Sequence, residues 1–251
     1  MSTVAIIQAR MNSSRLPGKV LMKLAGKSVL SHVITRLSKS NLLDDVIVAT
    51  SVENTDDPIE VFCTQNSVKC FRGSLDDVLD RFYTAAKKYD ISSIVRITAD
   101  CPLIDPKIVD KVIEGFHKGN YDCYGLSGEF PDGLDCTVFS FMAIERAWKE
   151  AKLDSEREHV GPYIEKNPEI FKNGGLKLYE GLQNKRWTLD QEEDYLLLSS
   201  IFNALSKDDN IFLTQDVLDY LELNPEVELF NCDIIRNEGY QNSIKKENFF
   251  D

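Results

Sequence analysis

Short apolar runs at residues 4–7, 46–49, 68–71 and 94–97 alternate with segments of helical spacing at 29–37, 59–65 and 78–89. β-Branched runs of this length, separated by amphipathic segments, predict βαβ units and hence a parallel sheet flanked by helices. Asp57-Pro58 and Asp105-Pro106 each set a capping acid before a proline suited to a first helical turn. Ser74-Leu75-Asp76-Asp77 offers a serine cap with an acid three residues on. Parallel sheets bind ligands beyond the carboxyl ends of their strands, where the loops after Ile7, Ala49, Phe71 and Thr98 converge.

The first of these loops lies within AIIQARMNSSRLPGKVL, residues 5–21, and concentrates Arg10, Arg15 and Lys19 without an acid in a chain of formal net charge −12. Its Asn, Ser, Pro and Gly content marks irregular backbone. Backbone amides and the Ser13 and Ser14 hydroxyls can bind phosphate oxygens, the two arginines offer planar forks, and Lys19 supplies a mobile point charge. The natural ligand of such a loop is a nucleoside triphosphate. The pattern is neither GxxxxGK[ST], since Val20 follows Lys19, nor GxGxxG. On residue chemistry alone, phosphate binding stands only slightly ahead of an ordinary solvated loop.

QARMNSSRLPGKVL resembles the signature loop of the cytidylyltransferases related to the spore-coat polysaccharide protein F family, a branch of the group containing the CMP-sialic acid and CMP-Kdo synthetases. The similarity continues in order through FRGSLDDVLDR (71–81), RITADCPLID (96–105), PDGLD (131–135), EREHV (156–160) and RWTLD (186–190). It runs from the N-terminus to about Leu205. It implies an α/β, Rossmann-like nucleotide-diphospho-sugar transferase (GT-A-like) sheet over residues 1–205, with residues 206–251 as a small C-terminal extension. The implied reaction is attack of an acceptor oxygen on the α-phosphorus of CTP, with release of pyrophosphate. The acceptor is a sugar acid, a polyol phosphate or a phosphonate-type molecule destined for a surface polysaccharide.

Arg10, Arg15, Lys19 and Asp100 are the expected catalytic residues. Ala9, Ser13, Ser14, Ser51 and Arg72 join the loop cations as the expected CTP-binding set. A triphosphate is used as its Mg²⁺ complex, and Mg²⁺ accepts one or two carboxylates. Asp100, just past the fourth run, suits one of these, and the resemblance supplies Asp190 as the other. By residue chemistry alone Asp105 and Asp190 both read as helix caps. Asp132, Asp135, Arg157, Glu158 and His159 are the candidate acceptor-binding residues, although PDGLD alone also reads as a turn and His159 as a packing histidine. Arg81 stands four residues after Asp77, a spacing for an i,i+4 ion pair that competes evenly with phosphate binding. Arg72 is the better ligand candidate of the two.

A length of 251 residues with 43% hydrophobic content fits one α/β domain with a small appendage. The acidic balance argues against a nucleic-acid partner. No basic start leads into an apolar leader, and no apolar stretch approaches membrane-spanning length, so a cytoplasmic location is expected. Cys63, Cys70, Cys101, Cys123, Cys136 and Cys232 form no CxxC pair and read as reduced core residues. Cys101 is better explained by packing than as a nucleophile. The terminal Phe249 and Phe250 suggest a dimer arm or a disordered tail, the family resemblance favouring a homodimer. A metal-dependent glycosyltransferase is the alternative activity, and a nucleotide-sensing protein the non-enzymatic one.

Overall fold

The computed structural model describes residues 2–206, 211–236, 241 and 243–245. Nine strands occur among them. β1 (Thr3–Gln8), β4 (Asp45–Ser51), β5 (Lys69–Gly73) and β6 (Ser93–Thr98) correspond to the four apolar runs. β2 (Lys23–Leu24) and β3 (Lys27–Ser28) form a small antiparallel hairpin, and β7 (Cys123–Ser127), β8 (Thr137–Ser140) and β9 (Asn173–Lys177) follow. The main sheet has seven strands in the order β5-β4-β1-β6-β8-β7-β9. The first four are parallel, β8 runs antiparallel to both β6 and β7, and β9 is parallel to β7. The fold class implied by the sequence is therefore found, extended by three strands.

Alternation along β1 divides the core. Ala5 and Ile7 face one side, where they join Leu30 and Val33 of α1 (Val29–Leu37), Ile59 of α2 (Asp57–Gln65) and Val109 of α4 (Pro106–Gly119). Val4 and Ile6 face the other side, packed with Phe82 of α3 (Val78–Lys88) and Ile144 of α5 (Phe141–Glu150). Side chains two apart on a strand share a face, so a strand buried on both sides must be apolar throughout its middle. The short helices α6 (Asp154–His159) and α7 (Pro162–Lys166) continue the second layer, while α8 (Glu192–Leu205) continues the first. Val217 and Leu221 of α9 (Thr214–Leu223) and Val227 of α10 (Pro225–Glu228) belong to that first core as well. Phe249 and Phe250, on which the dimer-arm expectation rests, lie outside the described residues.

Local signals at helix starts are partly redistributed. Asp105 caps α4, its carboxylate accepting from Lys107 N at 2.9 Å. The cap of α3 is Asp77, accepting from Asp80 N at 2.8 Å, and Ser74 instead accepts from Asp77 N at 3.0 Å. Asp57 is the first residue of α2 and pairs with Arg72 rather than capping. Of the cysteines, Cys63, Cys101, Cys123 and Cys136 are buried, Cys70 is half-buried and Cys232 is exposed. The core reading therefore does not hold for Cys232.

PDGLD owes its shape to a close backbone approach. Asp132 N donates to Lys185 O at 2.9 Å and Trp187 N to Asp132 O at 2.7 Å, joining the two motifs as an isolated parallel bridge. Gly133 sits there with φ 104, and a Cβ on it would fall 2.6 Å from the Trp187 carbonyl carbon. Both the left-handed backbone and the steric limit require glycine. Gly133→Ala is expected to lower the unfolding free energy by at least about 1 kcal/mol, measured by urea denaturation with the m-value unchanged.

Candidate active site

β1 delivers the chain at Gln8 into the cationic loop, which folds back on Met11. The Met11 carbonyl accepts from Ser13 N at 3.0 Å and Gly18 N at 2.8 Å, and Gly18 makes the turn at φ 75. Met11 N donates to Asp56 Oδ1 at 2.7 Å, while Asp56 Oδ2 accepts from the Ser51 amide at 3.2 Å and hydroxyl at 2.5 Å. The buried Asp56 thus ties the loop to the end of β4. Sequence reasoning missed it because the neighbouring Asp57-Pro58 carried the obvious cap signal.

Lys19 stands at the base of the loop, and its side chain is 9% exposed. Its ammonium donates to Asp100 Oδ2 at 2.5 Å and also to Asp190 Oδ1. Asp100 follows β6, and Leu189 N donates to the Asp100 carbonyl at 2.8 Å, holding the two acid-bearing segments side by side. Arg15 Nη2 reaches Asp190 Oδ2 at 3.0 Å. Three separate stretches of chain therefore meet at a cluster of two cations and two carboxylates.

Behind this cluster lies a buried network that the sequence reading did not single out. Arg186 binds Asp194 through Nε at 2.8 Å and Nη2 at 3.0 Å, Asp132 through Nη1 at 3.1 Å and Asp190 through Nη2 at 3.3 Å. Asp194 Oδ2 also accepts from Asp190 N at 2.8 Å and Gln191 N at 3.0 Å, while Asn231 donates to Asp194 Oδ1 at 2.8 Å. A fully satisfied polar network of this kind locks the turn that presents Asp190. Arg186 lay inside the quoted RWTLD motif, but only tertiary contact reveals its part.

A cavity of about 800 Å³ opens over the carboxyl ends of β1 and β6. Ala9, Arg10, Ser13, Ser14, Arg15, Lys19, Asp100 and Asp190 all wall it, together with Glu158 and His159 on the far rim. Ser243 meets that rim, donating to Glu158 Oε2 at 2.8 Å and lying 3.2 Å from His159 Nε2. Ser51, Arg72, Asp132, Asp135 and Arg157 do not line it. Ser51 serves Asp56, and Arg72 is held by the Ser51 and Glu53 carbonyls and by Asp57 and Glu60. Asp135 accepts from Gly133 N at 3.0 Å. Arg157, not Arg81, takes Asp77, through Nε at 3.0 Å and through Nη2. Arg81 turns to the Ser74 carbonyl at 2.9 Å and walls the cavity. The ranking of Arg72 over Arg81 is thus reversed by position.

Asp100 and Asp190 are the residues suited to a metal. Both present hard oxygens, both touch one ammonium, and two carboxylates match the needs of Mg²⁺. No cluster of three or more His, Cys, Asp or Glu side chains able to hold a metal occurs among the described residues. Burial drives the Cys101 thiol pKa upward, and Asp100 adds to the effect, so this sulfur stays protonated. Among the described residues no helix is long and apolar enough to cross a membrane.

The profile of the cytidylyltransferase family matches residues 4–223. The chain is 32% identical over 229 residues to the spore coat polysaccharide biosynthesis protein SpsF of Bacillus subtilis, covering 88% of this chain and 94% of that protein. An uncharacterized protein of Methanocaldococcus jannaschii is 41% identical over 246 residues, 96% of this chain and 98% of its own length. The solved structure of a cytidylyltransferase from Leptospira borgpetersenii superposes with a TM-score of 0.85 at 35% identity, covering 90% of this chain and 97% of that one. The fold is that of a nucleotidyltransferase. The chain belongs to the cytidylyltransferase family.

Burial alone would raise the Asp100 pKa, but the Lys19 ammonium overrides it and holds the group at about 2, against an ordinary 3.8. A depressed acid contributes stability that is complete above its unfolded pKa and lost as pH falls through the folded one. In metal-free buffer, wild-type stability should therefore fall between pH 4 and pH 2 more steeply than that of Asp100→Asn. The expected difference in slope is up to about one proton, read from unfolding transitions across that range.

Proposed function

We propose that the protein couples CMP from CTP to a sugar acid, polyol phosphate or phosphonate-type acceptor, in a Mg²⁺-dependent reaction that supplies a surface polysaccharide. The observation that carries this reading is the Lys19 ammonium held between Asp100 and Asp190 in a cavity that Arg10 and Arg15 also wall. The acceptor oxygen attacks the α-phosphorus, the bond from that phosphorus to the bridging oxygen breaks, and pyrophosphate leaves with the electron pair. Such a step needs alignment and neutralisation of charge more than proton transfer. Arg10, Arg15 and Lys19 are assigned to the phosphates that leave, and the Ser13 and Ser14 hydroxyls to oxygens of the same group. Asp100 and Asp190 would hold Mg²⁺, which neutralises charge on the phosphates when bound.

Glu158 and His159 face the acceptor side in this reading, with Asp132 and Arg157 acting behind the wall through Arg186 and Asp77. The name of SpsF supports a place in polysaccharide synthesis. Membership of the family favours cytidylyl transfer over the glycosyltransferase alternative.

Thermal unfolding with CTP, with and without Mg²⁺, tests the donor before the acceptor is known. A ligand present at a hundred times its Kd stabilises the native state by about 2.7 kcal/mol. A metal-linked upward shift with CTP is expected, and no shift with any nucleoside triphosphate would refute the reading. Once an acceptor is found by pyrophosphate release, Lys19→Ala and Asp100→Asn should each reduce turnover by at least about a hundredfold, whereas wild-type rates in both would refute the site assignment.

A further inference from the structure

Arg96, on β6, carries a guanidinium that the fold leaves unanswered. Its Nε is sealed from solvent and has no hydrogen-bond partner among the described residues, and no carboxylate among them lies within ion-pair distance of the side chain. The acids whose charge reaches it are Asp135, Glu165 and Asp100. Asp100 is bound to Lys19 at 2.5 Å, Asp135 accepts from Gly133 N at 3.0 Å, and Glu165 is exposed. Burial lowers the Arg96 pKa in spite of these acids, yet an arginine stays protonated throughout the physiological range. A cation so placed calls for an anion that the chain itself does not supply.

The sheet register lays out the surface around it. Ile94 pairs with Phe139 and Phe139 with Cys123, and all three belong to the second core. One pleat nearer the cavity the same face changes character, because side chains two apart on a strand share a face. There Arg96 pairs with Thr137, Thr137 with Gly125 and Gly125 with Gly175. A Cβ on Gly125 would lie 2.9 Å from Thr137 Oγ1, and one on Gly175 would lie 2.6 Å from Ser127 Oγ, so two hydroxyls lean over the space the glycines leave. Neither hydroxyl has a hydrogen-bond partner among the described residues. Gly175 is exposed, and Gly125, Ser127 and Thr137 are half-buried, so the row is open from outside. Thr98, next after Arg96 on this face of β6, walls the cavity. The row is therefore a shelf that runs from the edge of the cavity across β8 and β7 to β9.

We propose that this shelf seats the charged group of the acceptor, with Arg96 donating to its carboxylate or phosphate and the Thr137 and Ser127 hydroxyls meeting its polar substituents. The planar fork suits either anion, and glycine backbone allows a ring to approach the sheet closely. None of Arg96, Thr137, Ser127, Gly125 and Gly175 lines the cavity itself. The assignment rests on the cytidylyltransferase reading and adds the place at which the acceptor's own charge is held.

The test begins with the protein saturated by Mg²⁺ and α,β-methylene-CTP, so that the phosphate positions of the nucleotide are filled. Inorganic phosphate or D-glucuronate is then added and thermal unfolding followed. A further rise in Tm is expected, and the probe that gives the larger rise tells a phosphate-bearing acceptor from a carboxylate-bearing one. Arg96→Met should weaken this binding at least about tenfold, while the response to the nucleotide is kept. Thr137→Glu sets a carboxylate directly opposite Arg96. It should raise Tm without any added anion and abolish the response to both probes, neither of which follows if Arg96 is merely structural. No further rise with either anion, a rise that survives both variants, or no gain in Tm from Thr137→Glu overturns the proposal. Thr137→Glu decides the matter even where Arg96→Met does not fold. A nucleotide response without an anion response refutes this inference alone. An anion response that Thr137→Glu abolishes, without any nucleotide response, refutes the cytidylyltransferase reading and leaves the shelf standing.

Discussion

The contact of one ammonium with two carboxylates organises this molecule's site. Lys19 comes from the loop after the first strand, Asp100 from the loop after β6, and Asp190 from the turn before α8. Their meeting produces a cavity wall of alternating charge. Buried Lys19 would by itself lose charge to desolvation, yet the attraction of Asp100 and Asp190 raises its pKa above the ordinary value. The cation is thereby kept charged on the wall of the cavity.

Two further acids act as fasteners for this arrangement. Asp56 joins the cationic loop to β4, and Asp194 joins Arg186 to the turn bearing Asp190. Neither lines the cavity. Asp194 is 0% exposed and is balanced by Arg186, two backbone amides and Asn231, so its burial leaves no charge unanswered. Preorganised charge of this kind avoids reorganisation during reaction, which is where electrostatic catalysis gains most.

β1, β4 and β6 were legible because each is buried on both faces and so reads as an apolar run, whereas β5, at the sheet edge, was legible only through Val68, Cys70 and Phe71 beside its start. β7 and β9 were not, since Tyr124-Gly125 and Gly174-Gly175 dilute the pattern with residues chosen for close packing: a Cβ on Gly174 would meet Tyr121 at 2.6 Å. The loop cations and Asp100 were visible through their types and their positions after strands. Asp190 needed the family resemblance, because one acid before a helix is ordinarily a cap. Asp56, Arg186 and Asp194 escaped because their meaning lies in partners distant in the chain, and an i,i+4 spacing misdirected the reading of Arg81. Asp77 had a stronger claimant in Arg157, which grips it across 80 residues of sequence.

The backbone bond from Leu189 to Asp100 has a consequence for synthesis on the ribosome. The contact between Lys19 and Asp190 spans 171 residues. A nascent chain that has emerged only as far as β8 contains the segments of β1, β4, β5 and β6 and the whole cationic loop, but neither the second carboxylate nor the turn that aims it. Assembly of the site therefore waits until residue 190 is available, and closing so long a loop is offset by the packing of α8 and α9 onto the sheet. A chain that stops at β8 holds the loop cations and Asp100 but lacks the acid that completes the cluster around Lys19.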